Sequence, residues 1–214
     1  MASKLLLSVQ QQVEKGISVL KKGGIVAFPT DTVYGLGAGI GIARAVERVY
    51  RVKKRPRHMP LPLLLSDISR MEEVAGSVPK AARLLADRFL PGALTLVLAK
   101  SPALPESIAG GGRTVAVRIP NHPIPIALAR GLGTPIVGTS ANLSGSPSAL
   151  TADEVYAQLG DKVDLIIDGG RCPGGRESTI VDLSGQTPVI LREGAITKEE
   201  LQKLCPNITI KEGG

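Results

Sequence analysis

Aromatic side chains are nearly absent from this 214-residue chain, which has two Phe, three Tyr and no Trp. Its core must be built from Leu, Ile, Val and Ala. Base-stacking platforms for single-stranded nucleic acid are correspondingly disfavoured. Cysteine is also scarce. Cys172 and Cys205 have no metal-ligand spacing, which argues against a disulfide framework and suits a reducing compartment. The two histidines, His58 and His122, form no HExxH pair and no Cys/His cluster, so a protein-built zinc site is disfavoured. His122, between Asn121 and Pro123, reads as a helix-entrance residue with a structural role. Long apolar runs are missing too. Lys4 precedes Leu5-Leu6-Leu7, but Ser8 and Gln10-Gln11-Gln12 end that run before it reaches signal-peptide length. Nothing approaches a membrane span, so a cytoplasmic protein without a membrane partner is expected.

The familiar nucleotide loops are missing as well. Gly35-Leu36-Gly37-Ala38-Gly39 is glycine-rich, but Ile40 and Ile42 break both GxGxxG registers. Gly170 to Gly175 has P-loop glycine spacing, yet Arg176 and Glu177 stand where Lys and Ser/Thr belong. The segment Gly138-Thr139-Ser140-Ala141-Asn142 is not the GxSxG of a serine hydrolase.

What is present is an ordinary apolar fraction of 43% and a formal charge of +7, from 26 Lys plus Arg against 19 Asp plus Glu. The length suits one domain over residues 1–214. The charge favours anionic partners or simply aids solubility. Apolar spacing at Leu6, Val9, Val13, Ile17 and Leu20 predicts a helix within residues 5–22, stopped by Gly23-Gly24. A buried strand follows at 24–28, a helix at 42–54, a short strand at 61–65 and a helix at 79–90 with Pro79 in its first turn. Strands are expected at 94–99, 114–119, 135–138, 165–167, 179–183 and 189–191, with a helix at about 124–130. Thr151 with Glu154, and Thr197 with Glu200, are spaced as capping boxes. Interleaved elements give an α/β fold with helices on a twisted sheet. The short Ser-Gly-Gln-Thr-Pro link between the last two strands requires antiparallel pairing, so the sheet should be mixed, parallel and antiparallel.

Polar clusters stand at the ends of these strands. Pro29-Thr30-Asp31-Thr32-Val33-Tyr34-Gly35 follows one, Arg118 lies on another, and Thr139-Ser140-Ala141-Asn142-Leu143-Ser144-Gly145 follows a third. Strand ends of open α/β sheets are where ligands bind. Turn chemistry explains any one cluster equally well, but less easily several together. The basic run Arg51-Val52-Lys53-Lys54-Arg55-Pro56-Arg57-His58 suits a solvated helix end, an RNA patch or a set of phosphate ligands.

An ordered series of motifs carries more. FPTDTVYGLG (28–37), KKRP (53–56) with Pro60-Leu61, LPGALTLVL (90–98), VAVRIPNHP (115–123), GTSANLSG (138–145), IIDGG (166–170), ESTIVDL (177–183) and ILREGAI (190–196) together resemble the YrdC-like family. The resemblance covers about residues 15–196. It implies a twisted mixed sheet with a concave basic face, in a short single-domain form. It also implies a nucleotidyltransferase, a threonylcarbamoyl-AMP synthase. Such an enzyme condenses L-threonine, bicarbonate and ATP to threonylcarbamoyl-AMP and pyrophosphate, for the threonylcarbamoyladenosine of tRNAs reading ANN codons.

By the same resemblance, Thr32, Arg118 and Ser178 would contact threonine, with Arg118 on its carboxylate. Lys53, Arg55, Thr114, Ser140, Asn142, Ser148 and Arg192 would bind ATP. Mg²⁺ would arrive with ATP, with no metal site built by the protein. Downstream partners would be threonylcarbamoyl-transferase proteins and, on the basic face, tRNA. Leu64 departs from relatives that carry His, and Met59 stands where a polar residue is common. All reactants are anionic, so the chemistry needs positioning and charge neutralisation, and no strict general base is expected. Two competing readings are an RNA-binding protein and a carbamoyl-transfer module. The strand-end Ser140, Asn142 and Ser178 speak against the first. The missing companion segments speak against the second.

Overall fold

The strands alternate two kinds of side chain, and each kind meets a different layer. In the computed structural model, which describes residues 8–105, 108, 110–174 and 176–211, ten strands form one sheet among those residues. They are β1 (Val26–Phe28), β2 (Gly35–Gly39), β3 (Leu63–Leu64), β4 (Leu94–Ala99), β5 (Thr114–Arg118), β6 (Ile136–Ser140), β7 (Leu165–Ile166), β8 (Thr179–Asp182), β9 (Val189–Arg192) and β10 (Thr209–Ile210). Their order is β10-β9-β8-β4-β5-β3-β6-β2-β1-β7. The sheet is mixed, as expected. β8 and β9 pair antiparallel across their short link, whereas β4 with β8 and β3 with β5 are parallel.

The helices are α1 (Val9–Lys21), α2 (Ala43–Lys53), α3 (Met71–Val74), α4 (Lys80–Phe89), α5 (Pro123–Leu132), α6 (Ala152–Leu159) and α7 (Lys198–Gln202). On one face, Leu63, Leu94, Leu96, Leu98, Val117, Val137 and Val181 join residues of α2, α4, α6 and α7 in the main apolar cluster. On the other face, α1 and α5 cover only one end. Their cluster takes in Val26, Phe28, Leu64, Ile136 and Ile167, but nothing from β4, β5, β8 or β9. Period-two alternation therefore leaves Thr95, Arg118 and Ile180 on a stretch of sheet that no apolar helix face covers.

Several sequence expectations need adjustment. The glycine-rich segment 35–39 is a strand, β2, between β1 and β6. A Cβ on Gly37 would meet both Ile136 and the Phe28 ring, so this glycine serves close packing. Pro79 is the N-cap of α4 and lies outside its first turn. Thr151 caps α6 through the Glu154 amide, but the Glu154 carboxylate accepts from the Leu150 amide at 2.6 Å, so no reciprocal box forms. Thr197 and Glu200 do form one, as do Ser8 and Gln11, whose signal was missed. His122 caps α5 through Nδ1. The strand expected over 61–65 pairs only at Leu63 and Leu64. The predicted helix positions 5–7, and Gly175 of the P-loop-like segment, lie outside the described residues. No helix among the described residues is long and apolar enough to cross a membrane.

Candidate functional site

Where α1 and α5 stop, a cavity of about 180 Å³ opens on the sheet. Its wall includes Arg55, Arg118, Glu177 and Arg192, a set of hydroxyls from Thr32, Thr95, Thr139, Ser140 and Ser178, and an apolar side containing Pro62, Leu64 and Ile180.

Arg118 is its deepest cation, only 9% exposed at the end of β5. Nη2 donates to Asp31 at 2.7 Å and Nη1 to the Thr32 hydroxyl at 3.1 Å. Nε donates to the Gly92 carbonyl at 3.1 Å. Burial lowers its pKa from the ordinary value, and the Asp31 carboxylate opposes that shift. The loop after β1 thus does two things at once: Asp31 compensates the buried charge, and Thr32 turns a hydroxyl into the pocket.

The opposite wall comes from the β8 entrance and β9. Ser178 Oγ and Thr95 Oγ1 lie 2.9 Å apart. Arg192 Nη2 donates to the Ser178 carbonyl at 2.9 Å, and Nη1 pairs with Glu177. Glu177 also accepts from the Ser148 hydroxyl at 2.9 Å, so Ser148 reaches the pocket rim through Glu177. Thr179, fully buried, holds the 194–196 loop by accepting from the Gly194 and Ile196 amides and donating to the Ile196 carbonyl. Tyr34 donates to the Gly170 carbonyl at 2.8 Å, and burial pushes its pKa up to about 12.

The basic run divides among several environments. Lys54 is the exposed C-cap of α2 with φ 52°, and Arg57 pairs with Glu47. Arg55 faces the cavity while donating to the Met59 and Pro60 carbonyls. Lys53 differs from expectation. It is 1% exposed, lies off the cavity wall, and gives its ammonium protons to the Ser140 carbonyl and to Asn142 O and Oδ1, the latter two at 2.7 and 3.1 Å. Desolvation lowers its pKa to about 8. Asn142 is likewise inside the loop, donating to the Leu143 and Ser146 carbonyls.

Of the ten residues singled out, Thr32, Arg55, Arg118, Ser140, Ser178 and Arg192 converge on one cavity. Lys53 and Asn142 stand behind its wall. Thr114 lies four residues from Arg118 on the same face of β5, roughly 13 Å along the strand. Sequence reasoning assigned no role in the site to Thr95 or Glu177. A lone Thr in the apolar LTLVLA strand was the available signal for the first, and a carboxylate beside Ser178 for the second.

The fold and its cavity define an α/β protein with a cationic, hydroxyl-rich pocket on the uncovered part of a mixed sheet. The family model Sua5/YciO/YrdC, described as "Telomere recombination", matches residues 18–194, and the chain belongs to that family. It is 42% identical over 203 residues to the threonylcarbamoyl-AMP synthase of Bacillus subtilis, covering 94% of this chain and 59% of that protein. The crystal structure of Pyrococcus abyssi Sua5 complexed with L-threonine superposes with a TM-score of 0.91 at 41% identity, over 96% of this chain and 60% of that one. Escherichia coli YciO gives 0.82 at 32% identity, over 90% and 93%. The chain thus spans about three-fifths of the length of the first two relatives.

Proposed function

We propose that the chain is an L-threonylcarbamoyladenylate synthase, a nucleotidyltransferase joining L-threonine, bicarbonate and ATP to threonylcarbamoyl-AMP with release of pyrophosphate and water. The observation that carries this reading is the convergence of Arg118, Thr32 and Ser178 with Arg55, Ser140 and Arg192 around one cavity. A planar guanidinium suits a carboxylate, and P. abyssi Sua5, which shares this fold, forms a crystallised complex with L-threonine. In this reading Arg118 takes the threonine carboxylate, with Thr32 and Ser178 beside the substrate. Arg55, Ser140 and Arg192 meet the nucleotide, while Ser148, Asn142 and Lys53 support it from behind.

The cavity is smaller than the roughly 300–1,000 Å³ of a typical small-molecule site. ATP therefore continues outward over the open face of β5 toward Thr114. The wall carboxylate Glu177 already meets Arg192, and Asp31 beside the wall meets Arg118. The residues fit a Mg²⁺ held by the triphosphate better than one held by the protein, and the ion would supply charge neutralisation for the leaving pyrophosphate. Asp31, committed to Arg118, is poorly placed to be a general base, and the carbamate nucleophile is already an anion. The product would serve tRNA modification through transferase partners in the cytoplasm.

Pyrophosphate release from ATP tests the reading. Release should require both L-threonine and bicarbonate, and Arg118→Ala or Arg55→Ala should abolish it. Release indifferent to threonine, or tight RNA binding without turnover, refutes it.

A further inference from the structure

Ser140 bounds the cavity at the end of β6, and one side chain outside the cavity holds the loop that runs on from it to Ser146. Lys53 reaches the loop from the last turn of α2 in two ways. Its ammonium is shared among the Ser140 carbonyl, the Asn142 carbonyl and Asn142 Oδ1, and its own carbonyl accepts from the Ser144 amide at 2.9 Å. Asn142 then uses Nδ2 to tie down the Leu143 and Ser146 carbonyls. Three oxygens surround the ammonium, which matches its three N–H bonds. At 1% exposure it has no free face for a phosphate.

We propose that Lys53 is a positioning residue: its buried ammonium cross-links the Ser140 and Asn142 carbonyls and so fixes Ser140 toward the nucleotide without touching it. This rests on the nucleotide reading above. It moves Lys53 from a direct contact with ATP to the frame behind Ser140, and leaves Arg55 as the cation of that run that faces the cavity.

The two roles differ in how binding depends on phosphate number. A cation touching the β- or γ-phosphate matters more for ATP than for AMP. A residue that only sets Ser140 matters equally for every nucleotide whose shared part meets Ser140. Calorimetric affinities of AMP, ADP and ATP should therefore be measured for the wild type, Lys53→Met and Arg55→Ala, well below each unfolding midpoint. Lys53→Met should weaken all three by one common factor, on the order of tenfold, whereas the Arg55→Ala loss should grow from AMP to ATP. Ser144→Pro removes the amide that meets the Lys53 carbonyl while keeping the lysine. It should give the same uniform pattern, more weakly, and serves if Lys53→Met does not fold. A Lys53→Met loss that grows with phosphate number overturns the proposal by making Lys53 a direct ligand. Unchanged affinities also overturn it, leaving Lys53 a purely stabilising residue. Wild-type protein that binds none of the three nucleotides refutes the nucleotide reading itself, and the proposal with it.

Discussion

Replacing Arg118 tests whether the pocket floor is a compensated ion pair. The side chains of Arg118 and Asp31 are 11% and 15% exposed, and they meet at 2.7 Å. Arg118→Met leaves Asp31 without its partner and the Gly92 carbonyl and Thr32 hydroxyl each short of a donor. Breaking a buried pair from one side costs about 3–5 kcal/mol. Asp31→Asn keeps an oxygen near the guanidinium but removes its charge. That should cost less, about 1–3 kcal/mol, the worth of a hydrogen bond to a charged group. In the double variant neither charge is stranded, so its loss should fall short of the sum of the two single losses by roughly 2 kcal/mol. A domain of this kind has about 5–15 kcal/mol in all, so each variant should keep a measurable transition. The chain has no Trp, so urea unfolding is best followed by far-ultraviolet circular dichroism. Losses that add to within about 0.5 kcal/mol, the limit expected for independent sites, would refute the coupling. So would an Arg118→Met loss below about 1 kcal/mol.

Two further outcomes follow from particular contacts. Lys53 carries a pKa of about 8 in the fold against an ordinary 10.5, so between those values the unfolded chain binds more protons than the folded one. The Lys53 contribution to stability should therefore rise with pH across that window, by up to about 1.4 kcal/mol per unit. Urea titrations between those two pH values should show this slope in the wild type and lose it in Lys53→Met; equal slopes would refute the lowering of the Lys53 pKa by burial. A Cβ on Gly138 would run into the Leu64 side chain, so Gly138→Ala should cost about 1–3 kcal/mol by overpacking. Combined with Leu64→Ala, the total loss in thermal melts should fall short of the sum of the two single losses, and additive losses would show that Leu64 does not lie over Gly138.

Much of the architecture was legible because local chemistry fixed it. The stripe Val13, Ile17 and Leu20 could only be a helix face, and the five-residue link before β9 forced antiparallel pairing. Thr197 with Glu200 caps a helix start from its own four residues. Arg118 and Thr95 show the limit. Alternation places them on the face opposite Leu96 and Val117, yet it does not say that α1 and α5 leave that face uncovered, because the covering helices come from distant segments. β2 went unassigned for a similar reason. Its glycines show no strand-like alternation, and only the Phe28 ring and Ile136 laid against them reveal close packing. Lys53 shows the widest gap. In the sequence it is one of five cations in a run. In the structure the turn of α2 buries it against carbonyls nearly ninety residues away, while Arg55, two positions on, faces the cavity. Sequence determined which groups could bind anions; only tertiary packing decided which of them do so from the wall and which from behind it, since burial and hydrogen-bond partners are set by long-range contacts.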